Sequence, residues 1–204
     1  MHRFMAIGPA LMAGGILWLA RMPASSAAWN LQPGDAASWL PPASYLTDFL
    51  PSTILFGLGL AITVAPLTTA LMASVPEARA GLGSAVNNAI SRVGPQLAGA
   101  LIFVAITGAF YADLSNRVPG IDTSSDQLRQ NVSPLNRPDP SVSPTIAAAA
   151  REASTDSFHL AMGLAAVLLL AGAATNALGI RDPDRAVRDG AAKSKASAAV
   201  AADL

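Results

Sequence analysis

One apolar stretch of the chain carries a regular series of polar side chains. They recur at four-residue intervals, with two more beside them: Ser84, Asn88, Arg92 and Gln96, then Asn87 and Ser91. At 3.6 residues per turn, this spacing places Ser84, Asn88, Arg92 and Gln96 along one slowly drifting face of a helix, with Asn87 and Ser91 beside it. Amide, hydroxyl and guanidinium groups on one face can hydrogen-bond a polar ligand or line a wet cavity. The pattern therefore predicts a cavity-lining or gating face.

These polar residues have a structural alternative, in which they only hold helices together. Asn and Ser side chains commonly hydrogen-bond across membrane helices without contacting a substrate. Arg92 is different, because a charge inside an apolar segment is costly and normally faces a bundle interior or a wet cavity. Arg92 is therefore the strongest single candidate for function in the sequence.

The elements that would position this face are four apolar stretches. Between Asp48 and Glu77 the chain has no charged residue, which exceeds the roughly 20 residues that a helix needs to cross a bilayer core. In hydrocarbon only a helix satisfies its backbone hydrogen bonds within one segment. The predicted fold class is all-α integral membrane, with four transmembrane helices at about residues 4–21, 49–75, 82–111 and 157–180.

Composition agrees with a membrane protein and excludes several kinds of site. Hydrophobic residues make up 52% and charged residues 13%, against about 25% charged residues in soluble domains. The formal net charge is zero, so nothing indicates nucleic-acid binding. The chain has no cysteine, which excludes disulfides and thiolate metal sites. Two distant histidines cannot form a metal cluster, so we expect no cofactor and a lipid bilayer as partner.

The connecting segments differ in character. The predicted outer loops cover residues 22–48 and 112–156, and residues 182–204 form a cytoplasmic tail predicted to be disordered. The second loop is rich in Pro, Ser and Asp up to Pro144 and is predicted to be flexible there. Its last part, Thr145 to Ser154, has high helix propensity and is predicted to continue into the fourth span.

Two prolines interrupt the apolar spans and are the candidate hinges. Pro66 lies in the second span and Pro95 in the third, and each removes a helical N–H and predicts a kink. A kink serves either as a hinge for alternating access or as a static bend that improves packing. Several glycines in these spans, among them Gly57, Gly59, Gly94 and Gly99, would allow close helix approach.

Aromatic and basic residues predict the orientation. Aromatic residues lie at one set of span ends: Trp18, Tyr45, Phe49, Phe110, Tyr111 and Phe158. The opposite set carries the larger number of Lys and Arg residues, which favours both termini in the cytoplasm and a location in the cell (plasma or inner) membrane. The first stretch has a signal peptide as its alternative, since Ser26-Ala27-Ala28 resembles a cleavage site. Its length favours a retained span.

An enzyme is not predicted. No Asp or Glu lies within an apolar core, so paired-carboxylate chemistry is absent from the spans. A Ser–His dyad would require contact between His159 and either Ser84 or Ser91, but these residues belong to different predicted depths. We expect His159 to form an interfacial hydrogen bond instead.

Several runs resemble a known family. They are Gly57-Leu-Gly59-Leu-Ala-Ile-Thr63-Val-Ala-Pro66-Leu-Thr68, Val75-Pro76-Glu77-Ala-Arg79-Ala-Gly81, Ser84-Ala-Val-Asn87-Asn88-Ala-Ile-Ser91-Arg92-Val-Gly94, and Ser157-Phe-His159-Leu-Ala-Met162. Over about residues 1–181 the chain resembles the C-terminal region of major facilitator superfamily transporters, most of all the fourteen-span drug:proton antiporter branch. Pro95 departs from the family, which more often has a small residue there.

The resemblance implies a partial membrane domain at residues 1–181, matching the last four helices of the C-terminal six-helix half. It implies export of small amphipathic compounds by alternating access, with proton coupling in the intact protein. Facilitator sites form between two halves near the midplane, so the expected partner is the missing N-terminal half or a chain supplying it. The alternative is a small non-transporting membrane scaffold or regulatory protein.

Overall fold

A computed structural model describes the backbone of residues 2–26, 29–74 and 77–179, and side chains at 6–26, 29–64 and 78–178. Every regular element in these ranges is helical. The longer helices are α1 (His2–Leu19), α2 (Leu50–Ser74), α3 (Ala80–Arg117) and α5 (Pro144–Gly179), with the short α4 (Asp126–Asn131) between the last two. Short turns at Ala36–Trp39, Tyr45–Phe49 and Glu77–Arg79 complete the series.

Three of these helices are long and apolar enough to cross a membrane. They occupy Tyr45–Val64, Ala80–Arg117 and Pro144–Leu178, whereas α1 contributes the shorter apolar helix Ala6–Leu19. The predicted all-helical class is confirmed, as is the presence of helices able to span a bilayer. The number of four spans is not confirmed, because the described apolar part of α1 is shorter than the roughly 20 residues needed.

The long helices pack as an open arrangement rather than a closed bundle. α1 lies between α2 and α5, and α5 also packs against α3. α1 and α2 run antiparallel, since Gly8 early in α1 meets Gly59 while Gly15 meets the backbone of Ser52. Among the described residues, α3 therefore lies at one edge, where it packs mainly against α5.

The contact between α1 and α2 is made backbone to backbone. A Cβ atom added at Gly15 would lie 2.7 Å from the Ser52 carbonyl oxygen, and one at Gly59 would lie 2.5 Å from the Gly8 carbonyl oxygen. Gly57 has nothing within 4 Å of such an atom. Of the glycines expected to allow close approach, Gly59 does so, whereas Gly57, Gly94 and Gly99 face open space.

One end of the bundle carries the best-packed core in the described chain. Phe110 and Leu114 of α3 are fully buried against Val132 and the alanines near the start of α5. The Tyr111 hydroxyl donates a hydrogen bond of 3.0 Å to the Val132 carbonyl oxygen. The segment before Pro144, which was predicted to be flexible, is folded onto α3 and α5. Its few apolar residues, such as Val132, pack against the surface that these two helices form.

The two helices that supply this surface extend beyond the predicted ends of their spans. The span predicted at residues 82–111 continues as helix to Arg117, and the helix of the fourth span begins at Pro144. The prediction of helix from Thr145 to Ser154 is thus confirmed. At 1.5 Å per residue, α3 is about 57 Å long, so it extends well beyond a hydrocarbon core of about 30 Å.

The aromatic span ends meet at this same end of the molecule, as predicted. Trp18 Nε1 donates to the Thr47 carbonyl oxygen at 3.1 Å, which joins the end of α1 to the start of α2. His159 Nε2 lies 2.9 Å from the Met22 carbonyl oxygen, which confirms the expected hydrogen bond. The Ser157 hydroxyl donates to the Ile106 carbonyl oxygen at 3.4 Å and joins α5 to α3. We call this the aromatic end. The predicted tail, 182–204, lies outside the described residues.

Candidate functional site: the polar face of α3

The helix α3 is packed at one end and open at the other. Its buried residues are Ile106, Phe110, Tyr111 and Leu114, all in its last third. The residues from Ala80 to Ala105 are exposed or only partly buried. α5 covers the last third, and α2 makes little contact with α3. The part of α3 that carries the candidate site is therefore on the surface of this bundle.

All six candidate residues lie on that open part, and the structure brings them together along one helix. Ser84 and Asn87 are partly buried, whereas Asn88, Ser91, Arg92 and Gln96 are exposed. In the part of the chain that the structure describes, no side-chain hydrogen bond joins any of the six to another helix. The alternative in which they hold helices together would have to involve helices other than those described.

Arg92 has no counter-charge within reach in the described chain, where every ion pair involves Arg117. The hydroxyl of Thr63, a possible partner on α2, instead donates to the Gly59 carbonyl oxygen at 2.7 Å. Arg92 lies 12 residues after Ala80, or about 18 Å along the helix axis. The guanidinium is thus exposed about a third of the way along an apolar helix of 38 residues.

Large apolar side chains occupy the side of α3 opposite the polar residues on its open part. Ile90 is 67% exposed, Leu97 61% and Leu101 73%. Lipid chains can cover such residues, because they are as apolar as leucine itself. The surface of α3 is therefore amphipathic, with the six polar residues on one side and an opposite apolar side suited to lipid or to other helices.

The two candidate hinges remain within continuous helix. α3 passes through Pro95 without a break, and the backbone of α2 is helical through Pro66, whose side chain lies outside the described residues. Pro95 falls within the open part of α3, 11 residues or about three turns before the packed last third begins at Ile106. A proline at this place frees a carbonyl one turn earlier, close to Ser91 and Arg92 in the polar face.

Ser84 and Ser91 lie far from His159 in the structure. Ser157 contacts the Ile106 carbonyl, which sets the level of His159 on α3 near Ile106. Ser91 lies 15 residues before Ile106, a rise of about 22 Å, and Ser84 lies farther still. These residues therefore cannot form a hydrolytic dyad within the described chain. The described residues also contain no group of His, Asp and Glu side chains placed to hold a metal ion.

A charged cluster near the aromatic end was not predicted from the sequence. Arg117 donates to Asp113 and to Asp156, each at 2.7 Å, and also to Glu152. The cluster ties the last turn of α3 to α5. Its sequence signal is two i,i+4 pairs, Asp113 with Arg117 and Glu152 with Asp156, but only the fold brings the pairs together.

Two carboxyl groups of the outer segment are stabilised in their ionised form. The pKa of Asp122 is lowered, first by the hydrogen bond from the Ser124 side chain. The pKa of Asp139 is lowered in the same way by Ser141. Both carboxylates organise turns, because each also accepts a backbone N–H two residues ahead. They belong to the framework of the loop rather than to the polar face.

Comparison with known proteins adds no relative to this picture. No protein-family model, curated protein or solved structure matches the chain.

Proposed function

We propose that this chain forms part of the membrane domain of an efflux transporter that exports small amphipathic compounds by alternating access, proton-coupled in its intact form. The observation that carries the proposal is the open polar face of α3, centred on Arg92. A guanidinium about 18 Å along an apolar helix requires water or a polar partner, because its charge is expensive in lipid. A wet cavity between helices would satisfy Arg92 together with Asn88 and Gln96.

The resemblance to major facilitator transporters supports the same location for the cavity. In such folds the substrate site lies near the bilayer midplane, between two halves of the membrane domain. The open part of α3 is at the edge of this bundle, where a second half would meet it. We infer that the second half, in a longer protein or a partner chain, covers the polar face and completes the substrate site.

We infer that α1 is a fourth, retained span. It lies between α2 and α5 and touches α2 through glycine contacts too close for any side chain. Removal of a leader peptide would uncover Gly59 and Ser52, which these contacts bury. A retained α1 has a role in the packing, and a cleaved α1 would leave α2 without its main neighbour.

The orientation follows from the basic residues and is directly testable. We expect both termini in the cytoplasm of a cell with the chain in its plasma or inner membrane. A cysteine introduced by Ser143→Cys should react with an impermeant thiol reagent added outside, and one introduced by Ser194→Cys should not. The chain has no native cysteine, so each signal reports one site. Reversed labelling would contradict the orientation.

The transport role is tested at Arg92, in the transporter that contains this chain. Arg92→Lys keeps the charge but loses the planar fork of donors, and Arg92→Gln loses the charge. Both should lower the export rate of a fluorescent amphipathic dye, normalised to membrane protein level. Arg21→Gln is the matched control, because Arg21 lies over the Trp18 ring at the end of α1. Export at the parent rate by both Arg92 variants would overturn the assignment and favour a scaffold function.

A further inference from the structure

A cleft of about 400 Å³ opens at the aromatic end, apart from the polar face of α3. Three segments form it: residues 22–26 after α1, residues 135–138 of the outer segment, and the first part of α5. Its volume is in the range of small-molecule sites. No residue of the candidate site lines it, so any ligand here would be distinct from a transported substrate on α3.

The wall of the cleft is cationic. On α5, Arg151, Ser154, Thr155 and Phe158 line it, and their spacing of three, four and seven residues places them on one helix face. Arg137 faces them from the outer segment. Both arginines are exposed. In the described chain neither makes an ion pair or a side-chain hydrogen bond, so two guanidinium groups are available in one cleft.

The acidic residues nearby are engaged elsewhere. Glu152 and Asp156 of α5 bind Arg117, on the side of the helix that faces α3. Asp139 accepts hydrogen bonds within its own turn from Ser141. No Asp or Glu is among the residues that line the cleft. Asp48 accepts a hydrogen bond of 3.5 Å from the lining residue Ser26 but does not itself line the cleft, so the lining residues carry two positive charges and no negative one.

A strained residue holds the rim of the cleft. Leu135 has a φ of 62°, a left-handed conformation that is a genuine outlier for a bulky side chain. It follows Pro134 in a turn closed by a hydrogen bond from Asn136 N to the Ser133 carbonyl oxygen at 3.3 Å, at a position where glycine is favoured. Strain of this kind persists only where the surrounding structure holds it, and it clusters at ligand-binding and active sites. The Leu135 side chain lines the cleft and is half exposed.

The hydroxyl of Ser154 can donate a hydrogen bond to an anion in the cleft. It accepts the backbone N–H of Leu135 at 3.3 Å, which leaves its own proton free to donate into the cleft. Two guanidinium forks and a hydroxyl offer more donors than the two oxygens of a carboxylate use. They suit a phosphate group, which arginine recognises through bidentate hydrogen bonds.

We propose that this cleft binds the phosphate group of an amphipathic phosphate ester, with Arg137, Arg151 and Ser154 as donors. Met22, Leu135 and Phe158 supply an apolar wall for the substituent of the ester. Phe158 also marks the start of the apolar part of α5. The same chemistry has two sources, the headgroup of an anionic phospholipid at the membrane surface or a phosphate compound free in solution.

The test is an isothermal calorimetric titration of the purified full chain in dodecyl maltoside. The probes are dihexanoylphosphatidylglycerol, its phosphatidylcholine analogue, which is zwitterionic, and inorganic phosphate. We expect phosphatidylglycerol to bind more tightly than either. If inorganic phosphate binds as tightly as phosphatidylglycerol, the cleft is still a phosphate site, but its ligand is a phosphate compound in solution rather than a lipid. No binding of phosphatidylglycerol and none of phosphate would overturn the proposal.

Variants establish the location. Arg137→Gln and Arg151→Gln should each weaken phosphatidylglycerol binding about tenfold or more, as expected for loss of a charge-assisted hydrogen bond. Arg79→Gln makes the same charge change at the far end of α3 and should leave binding unchanged. If all three variants weaken binding equally, or none does, the assigned cleft is wrong.

A further variant separates binding from stability. Leu135→Gly removes both the side chain and the left-handed strain, so the melting temperature should rise. If the leucine is held there for its apolar contact with the ligand, binding should weaken although the protein is more stable. A more stable variant with unchanged binding would refute the role given to Leu135, independently of whether the arginine variants fold.

Discussion

The glycine contact between α1 and α2 allows a sharp test of the fold. A Cβ atom at Gly59 would lie 2.5 Å from the Gly8 carbonyl oxygen and 2.8 Å from the Met12 backbone nitrogen. Both neighbours are backbone atoms, so relief requires the two helices to separate. Gly57, two residues earlier in the same helix, has nothing within 4 Å of such an atom. The two glycines form a matched pair for an identical substitution.

We expect Gly59→Ala to destabilise the bundle by about 1–3 kcal/mol, the range for overpacking a close contact. Gly57→Ala should be neutral or stabilising by up to about 1 kcal/mol, because alanine is the better helix former. The opposite signs matter more than the magnitudes. Helix propensity alone would make both substitutions favourable, so only the contact with α1 can reverse the sign at Gly59.

Trp18 reports the separation of α1 and α2, because its indole donates to the Thr47 carbonyl at their junction. The assay is an SDS titration of the purified chain in dodecyl maltoside, followed by Trp18 fluorescence in a background with Trp29→Phe and Trp39→Phe. A lower midpoint for Gly59→Ala alone supports the contact. Equal shifts at both glycines, or no shift at Gly59, would refute it. Gly15 and Gly14 provide a second pair, since Gly14 also faces open space.

Three further predictions concern the aromatic end. Arg117→Gln leaves three carboxylates without their common partner and should destabilise the chain by about 1 kcal/mol, less at high salt, in denaturant titrations. Tyr111→Phe removes the bond to the buried Val132 carbonyl and should cost about 1 kcal/mol or somewhat more, seen as faster amide exchange around Val132. Ser124→Ala should raise the pKa of Asp122 towards its ordinary value in a carbon-13 NMR titration. Since folding depresses the pKa of Asp122, its stabilising effect is present above the ordinary value of about 3.9 and is lost as the pH falls through the folded value.

The long helices were predictable because the length of an apolar stretch can be read directly from consecutive residues. The apolar stretches, the helical start of the fourth span and the hydrogen bond of His159 could all be inferred from residue order. The span number could not be settled in the same way, because α1 has an apolar length near the lower limit for crossing. Its role depends on packing against α2 and α5, which no local pattern encodes.

The folded outer segment was missed for a related reason. Its Pro, Ser and Asp content predicts flexibility, yet Val132 is fully buried. One apolar residue can order a polar segment if a preformed surface receives it, and α3 and α5 supply that surface beyond the predicted ends of their spans. The cleft with Arg137 and Arg151 depends on the same folding. Residues distant in sequence meet there only because the segment returns to α5.

The polar face of α3 requires a covering surface of a particular kind. Lipid is sufficient for the exposed apolar residues of α3, since it replaces a helix neighbour without loss of hydrogen bonds. It is not sufficient for Arg92 or Asn88, which need polar partners at the same depth. An apolar helix packed against Arg92 and Asn88 would leave both without hydrogen-bond partners. Water on every side of α3 would leave the apolar side chains of Ile90 and Leu97 exposed to solvent. In the transporter proposed above, a second set of helices that encloses a wet cavity on the polar side, with lipid on the opposite apolar side, would satisfy both groups.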